Sequence, residues 1–396
     1  MHILAVIVRI TGRSYVMRIQ PMLPALLAVL LCAAAFGAPA PEDVAQDAID
    51  MIGPGSLSNI KVNQDTWIVV EAQKFQVKTP IPAYKVKTVV YASAPELYRV
   101  AQQAAEEGDY EKALKALILT LKKDGEKYAW FKQYLFYDIA RYYVKRRAEG
   151  DYEKARGYLD QLMTEVKDSR FLPDALLLYA DTCFMEGKDF EAARKAYEKA
   201  REQLTAMSRQ VSGPHVEYLE ERALTADYKV GECLSLLKRY GEAKSVYSGV
   251  AARSRKYPRV LYLALLGGAQ ALWQEGQVDE ALKAFAELIE KAEIAGTRDI
   301  LAGAYAGLGD CYFGKKDFEV ARWNYLKVAV QFFDNEEYAA KSLYRVGLCY
   351  KEIMLAEQDD KKRAEAKKQV QFYLNEVISN YSGFWADQAK EAKNTL

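Results

Sequence analysis

Gly-Asp-Tyr-Glu-Lys-Ala occupies residues 108–113, and the same six residues return at 150–155. A related stretch, Gly-Lys-Asp-Phe-Glu-Ala-Ala, follows at 187–193. Looser copies lie at 238–243, 276–281 and 316–321. Self-similarity repeated at roughly 40 residues is the sequence signature of a solenoid, in which supersecondary units stack into one array. Such an array usually presents a long surface rather than a single reaction centre.

Each copy ends on an alanine that would open the second helix of a pair. These anchors are Ala113, Ala155, Ala193, Ala243, Ala281 and Ala321. The longest interval, between the third and fourth anchors, contains Ser-Gly-Pro-His at 212–215 and predicts a lengthened helix pair with a loop. A seventh unit begins near Glu336, and it aligns with the sixth if the charged residues 357–368 extend its second helix. We therefore predict a mainly α fold with about seven helix-turn-helix repeats over residues 94–396.

Small and aromatic residues recur at fixed places within the units. One unit holds Leu308, Gly309, Tyr312, Asp317, Phe318, Ala321 and Tyr325, and another holds Val230, Gly231, Tyr240, Ala243 and Tyr247. This pattern resembles the tetratricopeptide repeat (TPR) family, in which small residues stand where two helices approach and aromatic rings fill the space beyond. The resemblance implies a TPR-like α-solenoid that binds other proteins. Most units exceed the family's 34 residues and lack its closing proline, and in this they are similar to secreted or periplasmic bacterial TPR proteins.

The segment before the repeats has a different pattern. Residues 58–92 alternate apolar and polar side chains and favour β-branched types, and Pro80 and Pro82 punctuate them. Such alternation is typical of strands, so we predict a small three- or four-stranded β unit. Residues 41–57 precede it as a short amphipathic leader that ends in a Gly-Pro-Gly-Ser turn, which gives a β domain over residues 41–93.

Residues 1–40 are typical of a signal peptide. A basic stretch around Arg18 precedes the apolar residues 23–35, and the small residues that follow offer cleavage after Gly37 or Ala40. The apolar run is shorter than the roughly 20 residues that a membrane-spanning helix needs. We therefore expect an exported bacterial protein, periplasmic or otherwise extracytoplasmic, that is soluble after cleavage and has no integral membrane span.

Two details of this segment qualify that prediction. Met17 is an alternative start of translation, since the sixteen residues before it look like an upstream extension. Cys32 is poorly placed for lipidation, because Leu30 and Leu31 precede it where bacterial lipoprotein signals carry a small residue.

The charge balance argues against nucleic acid or an anionic membrane surface as a partner. The chain has 55 Lys and Arg against 54 Asp and Glu, a formal net charge of +1. Arg9, Arg13 and Arg18 lie in the first forty residues, which contain no Asp or Glu, so the remainder carries 55 − 3 = 52 against 54, or −2. This near neutrality gives no electrostatic footprint for nucleic acid or an anionic membrane surface.

The cysteines after the signal segment share one position in the repeats. They are Cys183, Cys233, Cys311 and Cys349. Since that position normally holds a small buried residue, we predict packing as free thiols. Disulfides joining 183 with 233, or 311 with 349, remain open in an oxidising compartment. Zinc ligation needs cysteine pairs two to four residues apart, a spacing that the sequence does not contain.

Catalytic constellations are missing from the sequence after residue 40. His215 is its only histidine, and we expect it on the surface of a loop. The carboxylate pairs 220–221, 336–337 and 359–360 lie in charged stretches typical of a solvated face. Without a second histidine, nucleophile–base arrangements and multi-histidine metal sites are excluded. We therefore predict no catalytic, cofactor-binding or metal-binding residues and a non-enzymatic protein.

Two groups of residues are candidates for contact with a partner. In the TPR family the first helices line a concave groove, and the positions that would face it here are Met185, Tyr228, Leu266, Trp273, Phe313 and Tyr344. These side chains either recognise a peptide or helix, or pack against the next repeat. The second group is the aromatic stretch 128–143, which would pack on the β unit, cap the solenoid or meet a partner.

These patterns favour a non-enzymatic extracytoplasmic scaffold that binds protein or peptide partners through its solenoid surface, without a cofactor. One alternative is an accessory subunit of an envelope assembly or transport machine. Another is a cell-wall glycan binder, which would need exposed aromatics flanked by carboxylates and amides. Leu266 and Met185 beside Trp273 favour a peptide over a glycan. The sequence leaves the oligomeric state open.

Overall fold

A computed structural model describes residues 6–10, 13–17, 47–125, 127, 130–295 and 297–395. The chain divides into two compact units, Met1–Ala45 and Gln46–Leu396. The first unit contains an antiparallel hairpin of β1 (Val6–Ile10) and β2 (Arg13–Met17). The apolar core and cleavage sites of the predicted signal peptide, with Cys32, lie outside the described residues, so that prediction stays a prediction.

The second unit begins with a five-stranded antiparallel sheet. Its strands are β3 (Asp47–Met51), β4 (Ser56–Asp65), β5 (Val69–Lys74), β6 (Val77–Pro82) and β7 (Val86–Val90), in the spatial order β6-β5-β4-β3-β7. A small β unit is confirmed, but it has five strands rather than three or four. The additional strand, β3, comes from the predicted leader and pairs with both β4 and β7.

Strand β3 escaped prediction because a buried acid lies at its start. The carboxylate of Asp47 accepts hydrogen bonds from the backbone N–H groups of Val62 (2.9 Å) and Ala92 (3.0 Å). A short run with two acids therefore looks like an amphipathic leader, although Ile49 at its centre is fully buried. The backbone donors that offset the cost of burying this carboxylate are remote in sequence.

The helices follow in antiparallel pairs. They are α1 (Glu96–Glu106), α2 (Tyr110–Asp124), α3 (Phe131–Arg146), α4 (Asp151–Glu165), α5 (Leu172–Glu186), α6 (Phe190–Ser208), α7 (Pro214–Leu236), α8 (Tyr240–Arg253), α9 (Pro258–Gln274), α10 (Val278–Ala295), α11 (Arg298–Gly314), α12 (Phe318–Gln331), α13 (Glu336–Ala356), α14 (Asp360–Asn380) and α15 (Phe384–Asn394). The seven pairs confirm the predicted solenoid. Of the charged residues 357–368 that were predicted to extend the second helix, 360–368 lie in α14 and 357–359 precede it. Helix α15 covers the last pair with polar residues on its outward side.

The recurring phrase marks the turn inside six of these pairs. Its first residue has a positive φ in every copy: Gly108, Gly150, Gly187, Lys238, Gly276 and Lys316. Glycine adopts this left-handed conformation without steric cost, whereas the two lysines adopt it at some cost in strain. The aspartates at 109, 189 and 317 then cap the following helix, each accepting the N–H three residues further on. The phrase therefore encodes a turn followed by a helix start.

The aromatic stretch packs on the sheet, which is the first of the three alternatives left open by the sequence; residues 128–129 within it are not described. The rings of Tyr91 and Trp130 stack with centroids 3.6 Å apart. The hydroxyls of Tyr91 and Tyr134 both donate to the buried carboxylate of Asp65. The Gln133 amide donates to the Asp65 backbone carbonyl at 3.1 Å. The start of α3 is thus fixed to the end of β4.

The next loop between repeats contacts the same sheet. Arg170 donates from Nη2 to the carbonyls of Val86 (2.8 Å) and Lys87 (3.1 Å) on the edge strand β7. The Trp67 backbone N–H donates to the carbonyl of Asp168 at 3.1 Å. These contacts attach the sheet to the start of α5, in addition to its attachment to the start of α3.

His215 supplies a third attachment, and the prediction of a surface histidine is wrong. It lies buried in the first turn of α7, with Nε2 3.0 Å from the carbonyl of Trp67. Its ring also contacts Tyr84, with centroids 5.2 Å apart. The loop before α7 reaches back to the sheet, a contact across 148 residues that local sequence could not indicate. The sheet therefore ties together the starts of three successive first helices.

This burial makes a pH-dependent contribution to stability. Desolvation lowers the pKa of His215, although its hydrogen bond to the Trp67 carbonyl opposes that shift. Because the folded pKa is below the unfolded value of about 6.5, neutral His215 is favoured by folding, and this stability is lost as the pH falls below about 6.5. We expect the melting temperature to drop less between pH 7.5 and 5.5 in His215→Gln, which keeps an N–H donor, than in the native protein. Equal slopes in thermal denaturation would contradict this.

Candidate partner-binding surface

The first helices of successive repeats stack beside one another, from α5 through α7, α9, α11 and α13 to the terminal α15. This layer is where the sequence placed the groove. The six predicted groove residues are distributed across it: Met185 on α5, Tyr228 on α7, Leu266 and Trp273 on α9, Phe313 on α11 and Tyr344 on α13. The six side chains differ in their exposure to solvent.

Leu266 is only 5% exposed, which fits the alternative that it packs against the next repeat. It packs over α11, whose residues 300–307 are buried on all sides. At Gly303 a β-carbon would lie 2.7 Å from Leu266 Cδ2 and 2.8 Å from the Tyr338 hydroxyl. Since glycine lets Leu266 and Tyr338 close over α11, the layer has no open groove at this point.

Four of the other residues are half-buried by identifiable neighbours. Phe313 lies 5.2 Å from the Phe318 ring and beneath the Arg345 guanidinium at 5.5 Å. Tyr344 contacts Trp385 of α15, with ring centroids 5.7 Å apart. Tyr228 similarly contacts Tyr247, and Trp273 packs against the core around α10 and α11. Met185 is the exception, at 46% exposed. That any of these side chains binds a partner remains a prediction.

Buried polar groups in the layer hold helices together. Asp310 accepts from the Tyr325 hydroxyl at 2.6 Å and from Lys341 Nζ at 2.7 Å, which links α11 to α12 and α13. Burial, followed by the nearby Asp310 charge, raises the pKa of Tyr325 far above its usual range. Its phenol therefore stays protonated and acts as a hydrogen-bond donor, a structural role.

The four cysteines of the repeats are free thiols, and all but the partly buried Cys183 are fully buried. Burial raises the pKa of Cys233, Cys311 and Cys349 to about 12 in each case. Because the thiolate is the reactive form, these groups are inert at neutral pH. Among the described residues, moreover, no group of three or more His, Cys, Asp and Glu side chains is arranged to hold a metal ion.

The second helix of the sixth pair carries an apolar surface that the sequence analysis missed. Helix α12 buries Ala321, Tyr325 and Val328 against its neighbours. On its opposite side Trp323 is 65% exposed and Val330 is 70% exposed, and Phe333 just beyond the helix is 67% exposed. We call Trp323, Val330 and Phe333 the outer strip. Residues seven apart lie on one side of a helix, so Trp323 and Val330 align.

A lysine beside the outer strip directs its ammonium away from the strip. Lys327 lies between Trp323 and Val330, one turn from each. Its ammonium is 3.9 Å from the centre of the Tyr305 ring and donates to the Tyr305 hydroxyl. Long cationic side chains cover apolar surface with their methylenes while the charge finds a polar partner. The methylene groups of Lys327 therefore extend the apolar surface of the outer strip.

Stacked side chains connect the outer strip with aromatic residues of α13 and α14. The Arg322 guanidinium lies over Trp323 and over Tyr350, 4.7 Å from the centre of the latter ring. Tyr350 stacks on Tyr373 with centroids 5.6 Å apart, and Tyr373 contacts the exposed Phe372. Aromatic and Arg side chains are the types most enriched at protein–protein contacts. The signal available in the sequence was a helix with apolar residues on both faces.

No family model and no curated protein matches this sequence. Among solved structures, a STAND-type signal transduction ATPase with a tetratricopeptide repeat sensor from Pyrococcus horikoshii is similar over 75% of this chain and 43% of its own length, with 17% identity and a TM-score of 0.50. The apo quorum sensor NprR from B. thuringiensis is similar over 72% of this chain and 75% of its own, with 14% identity and a TM-score of 0.50.

A tetratricopeptide repeat protein from Parabacteroides merdae covers 70% of this chain with 98% of its own, at 17% identity and a TM-score of 0.43. At such identities the similarity concerns the fold alone. The helix-pair array is TPR-like, which confirms the resemblance drawn from the repeats. In the described part of the chain, no helix has the length and apolar character required to cross a membrane.

Proposed function

We propose that this TPR-like chain is a non-enzymatic scaffold that binds a protein partner through the outer strip. The observation that carries the proposal is the exposure of Trp323, Val330 and Phe333 on a helix whose other side already fills the core. Monomeric soluble proteins rarely expose contiguous large apolar side chains without an interaction to make. The TPR-like fold supports the same class of function.

The expected occupant is an amphipathic helix of the partner, lying along α12. From Trp323 to Val330 is two helical turns, or about 10 Å at 1.5 Å per residue. Apolar anchors at i, i+3, i+4 and i+7 of a partner helix match such a strip. The neighbouring apolar residues favour a protein over a glycan, because a glycan site would require carboxylates and amides around the Trp323 indole.

The site of action is also part of the proposal. The basic, apolar and small-residue succession over residues 1–40 supports export to the periplasm or another extracytoplasmic compartment. Within that setting, an accessory subunit of an envelope assembly or transport machine is one form that such a scaffold could take.

Removing the outer strip should abolish partner capture without unfolding the array. The test compares the native protein with Trp323→Ser/Val330→Ser, and with Phe75→Ser as the matched control, because Phe75 is exposed on the turn between β5 and β6. A photo-crosslinker at Gln331 should give adducts on an apolar helix of the same partner in the native and control proteins. We expect the double variant to lose at least about 90% of the adduct, since hot-spot aromatics dominate such contacts.

Circular dichroism must show that the variants retain their helices. Unchanged adducts in the double variant, or equal loss in the Phe75→Ser control, would contradict the assignment of the outer strip. Trp273→Ala adds a separate comparison. Because Trp273 is half-buried beside α10 and α11, a large fall in melting temperature would favour packing, and loss of the adduct in a stable variant would favour the predicted groove.

A further inference from the structure

Two successive grooves lie between neighbouring second helices, and they differ in chemistry. The groove between α4 and α6, over α5, has a volume of about 460 Å³ and a largely apolar lining that includes Met163, Leu176 and Met207. The next groove, between α6 and α8 over α7, has about 480 Å³. Four cationic side chains line it: Arg201, Arg253, Arg255 and Lys256. We call this second site the basic groove. Repeat geometry accounts for both grooves but not for the charges of the second.

A buried carboxylate at the floor of the basic groove fixes two of these cations. Asp227 of α7 is buried, and its Oδ1 accepts from Arg201 Nη1 at 3.3 Å. Its Oδ2 accepts from Arg253 Nη2 at 2.6 Å. One carboxylate thus holds a guanidinium from each wall, α6 and the end of α8. Such pre-ordering reduces the entropy that a ligand would otherwise lose by immobilising them.

The groove has donors left for a ligand after these contacts. Arg255 has no hydrogen bond or ion pair within the part of the chain that the structure describes, and it is exposed. The nearest carboxylate to Lys256 is Glu217, 3.8 Å away, which is a loose surface pair. The lining carboxylates are Asp227, which the two arginines share, and Glu220, which accepts from the Tyr257 hydroxyl at 3.0 Å. The lining itself carries four cations against two carboxylates. At its rim Glu202 pairs with Arg201 at 3.3 Å and Glu217 with Lys256 at 3.8 Å, so among the described residues of the groove the positive charge without an acidic partner is that of Arg255.

The floor also offers apolar contact. Ala223 and Leu224 of α7 lie between the charged walls, with the ring of Tyr257 at one end. A fitting ligand therefore has at least two anionic groups spaced to reach both walls, with apolar atoms between them. Consecutive Glu or Asp side chains on an extended or helical segment meet this requirement, and guanidinium groups pair with carboxylates in bidentate geometry.

We propose that the basic groove binds an acidic segment of a protein partner. The proposal rests on the proposed function only in that the solenoid binds proteins, since the groove is formed by α6, α7 and α8 and the outer strip lies on α12. The two surfaces would engage one partner at two points, or two different partners.

Binding is tested with the purified full chain and fluorescein-labelled hexaglutamate, followed by fluorescence anisotropy at 25 mM and 300 mM salt. We expect saturable binding that weakens with salt, because surface charge pairs are screened, and no binding of labelled hexaglutamine. Arg253→Gln/Arg255→Gln should weaken binding at least tenfold, while Arg201 stays on Asp227. Arg255→Gln alone, which removes no internal contact, should weaken it several-fold. Lys199→Gln, a charge removed from the first groove, should change it less than twofold.

Each outcome decides between explanations. Equal binding by the native protein and both groove variants, or no binding at low salt, overturns the proposal. Displacement of hexaglutamate by inorganic phosphate at a lower concentration than by glutamate peptides would assign the groove to a phosphate ligand and overturn the peptide proposal. Trp323→Ser/Val330→Ser should bind hexaglutamate like the native protein. A photo-crosslinking result that contradicts the role of the outer strip would therefore not affect the hexaglutamate measurement.

Discussion

Replacing Asp65 with alanine is expected to lower the free energy of unfolding by about 3–5 kcal/mol, the usual cost of removing one member of a buried charged pair. Asp65 lies where β4, β7 and α3 meet, with the side chain of Arg170 3.9 Å from Oδ1 and buried like its own. Burial raises the pKa of Asp65, while Arg170 and the two tyrosine hydroxyls counteract it. Without the carboxylate, the hydroxyls of Tyr91 and Tyr134 lose their acceptor and the guanidinium loses its countercharge.

The experiment distinguishes the loss of the Asp65 charge from the loss of side-chain volume. Chemical denaturation of Asp65→Ala is compared with Asp50→Ala, which removes an exposed acid from β3, and with Asp65→Leu/Arg170→Met. Removing both charges leaves no uncompensated ion, so the double variant should recover much of the loss. If Asp65→Ala matches the Asp50→Ala control, the contact does not hold the sheet on the helices.

Hydrogen exchange should locate the same effect. We expect amides of β4, β7 and the first turn of α3 to lose protection in Asp65→Ala, because they lie around the missing carboxylate. Amides of α9 to α14 should keep theirs, since energetic effects in repeat arrays travel mainly between neighbours. Uniform loss of protection along the whole array would argue against a role local to this junction.

The parts of the fold that follow local steric rules were predictable from the sequence. A residue with positive φ and an alanine anchor occur within about six residues at all six turns, and three of these turns add a capping aspartate, so the position of each of these turns was readable. The contacts of Asp65 and His215 were not, because Tyr134 and Trp67 are 69 and 148 residues away from them. Only the tertiary arrangement makes an isolated histidine part of a core.

The candidate surfaces were harder to predict for a related reason. The repeat position of Leu266 left open whether it lines a groove or packs, and only the structure shows that Gly303 lets it pack closely over α11. Trp323 and Val330 look like ordinary members of an apolar helix until their exposure is known. The basic groove combines α6, α7 and the end of α8, residues spread over 201–257 that show no motif.

Gly307→Ala should test the close approach of α10 and α11 most directly. A β-carbon at Gly307 would overlap Cζ and Cε1 of Phe285 and lie 2.8 Å from Cε2 of the same ring. Phe285 is almost fully buried in the core cluster around α10 and α11. Overpacking of this kind costs about 1–3 kcal/mol, which outweighs the gain of at most about 1 kcal/mol from replacing a helical glycine with alanine. We expect a lower denaturation midpoint for this variant.

Gly314→Ala is the matched control, because it lies on the same helix and a β-carbon there would have no atom within 4 Å. It should be neutral or slightly stabilising. Phe285→Leu removes the ring atoms that a methyl group at Gly307 would meet, so Gly307→Ala/Phe285→Leu should be more stable than the sum of the single changes predicts. Additive effects would mean that α10 and α11 move apart freely. In that case Gly307 does not set the spacing of α10 and α11.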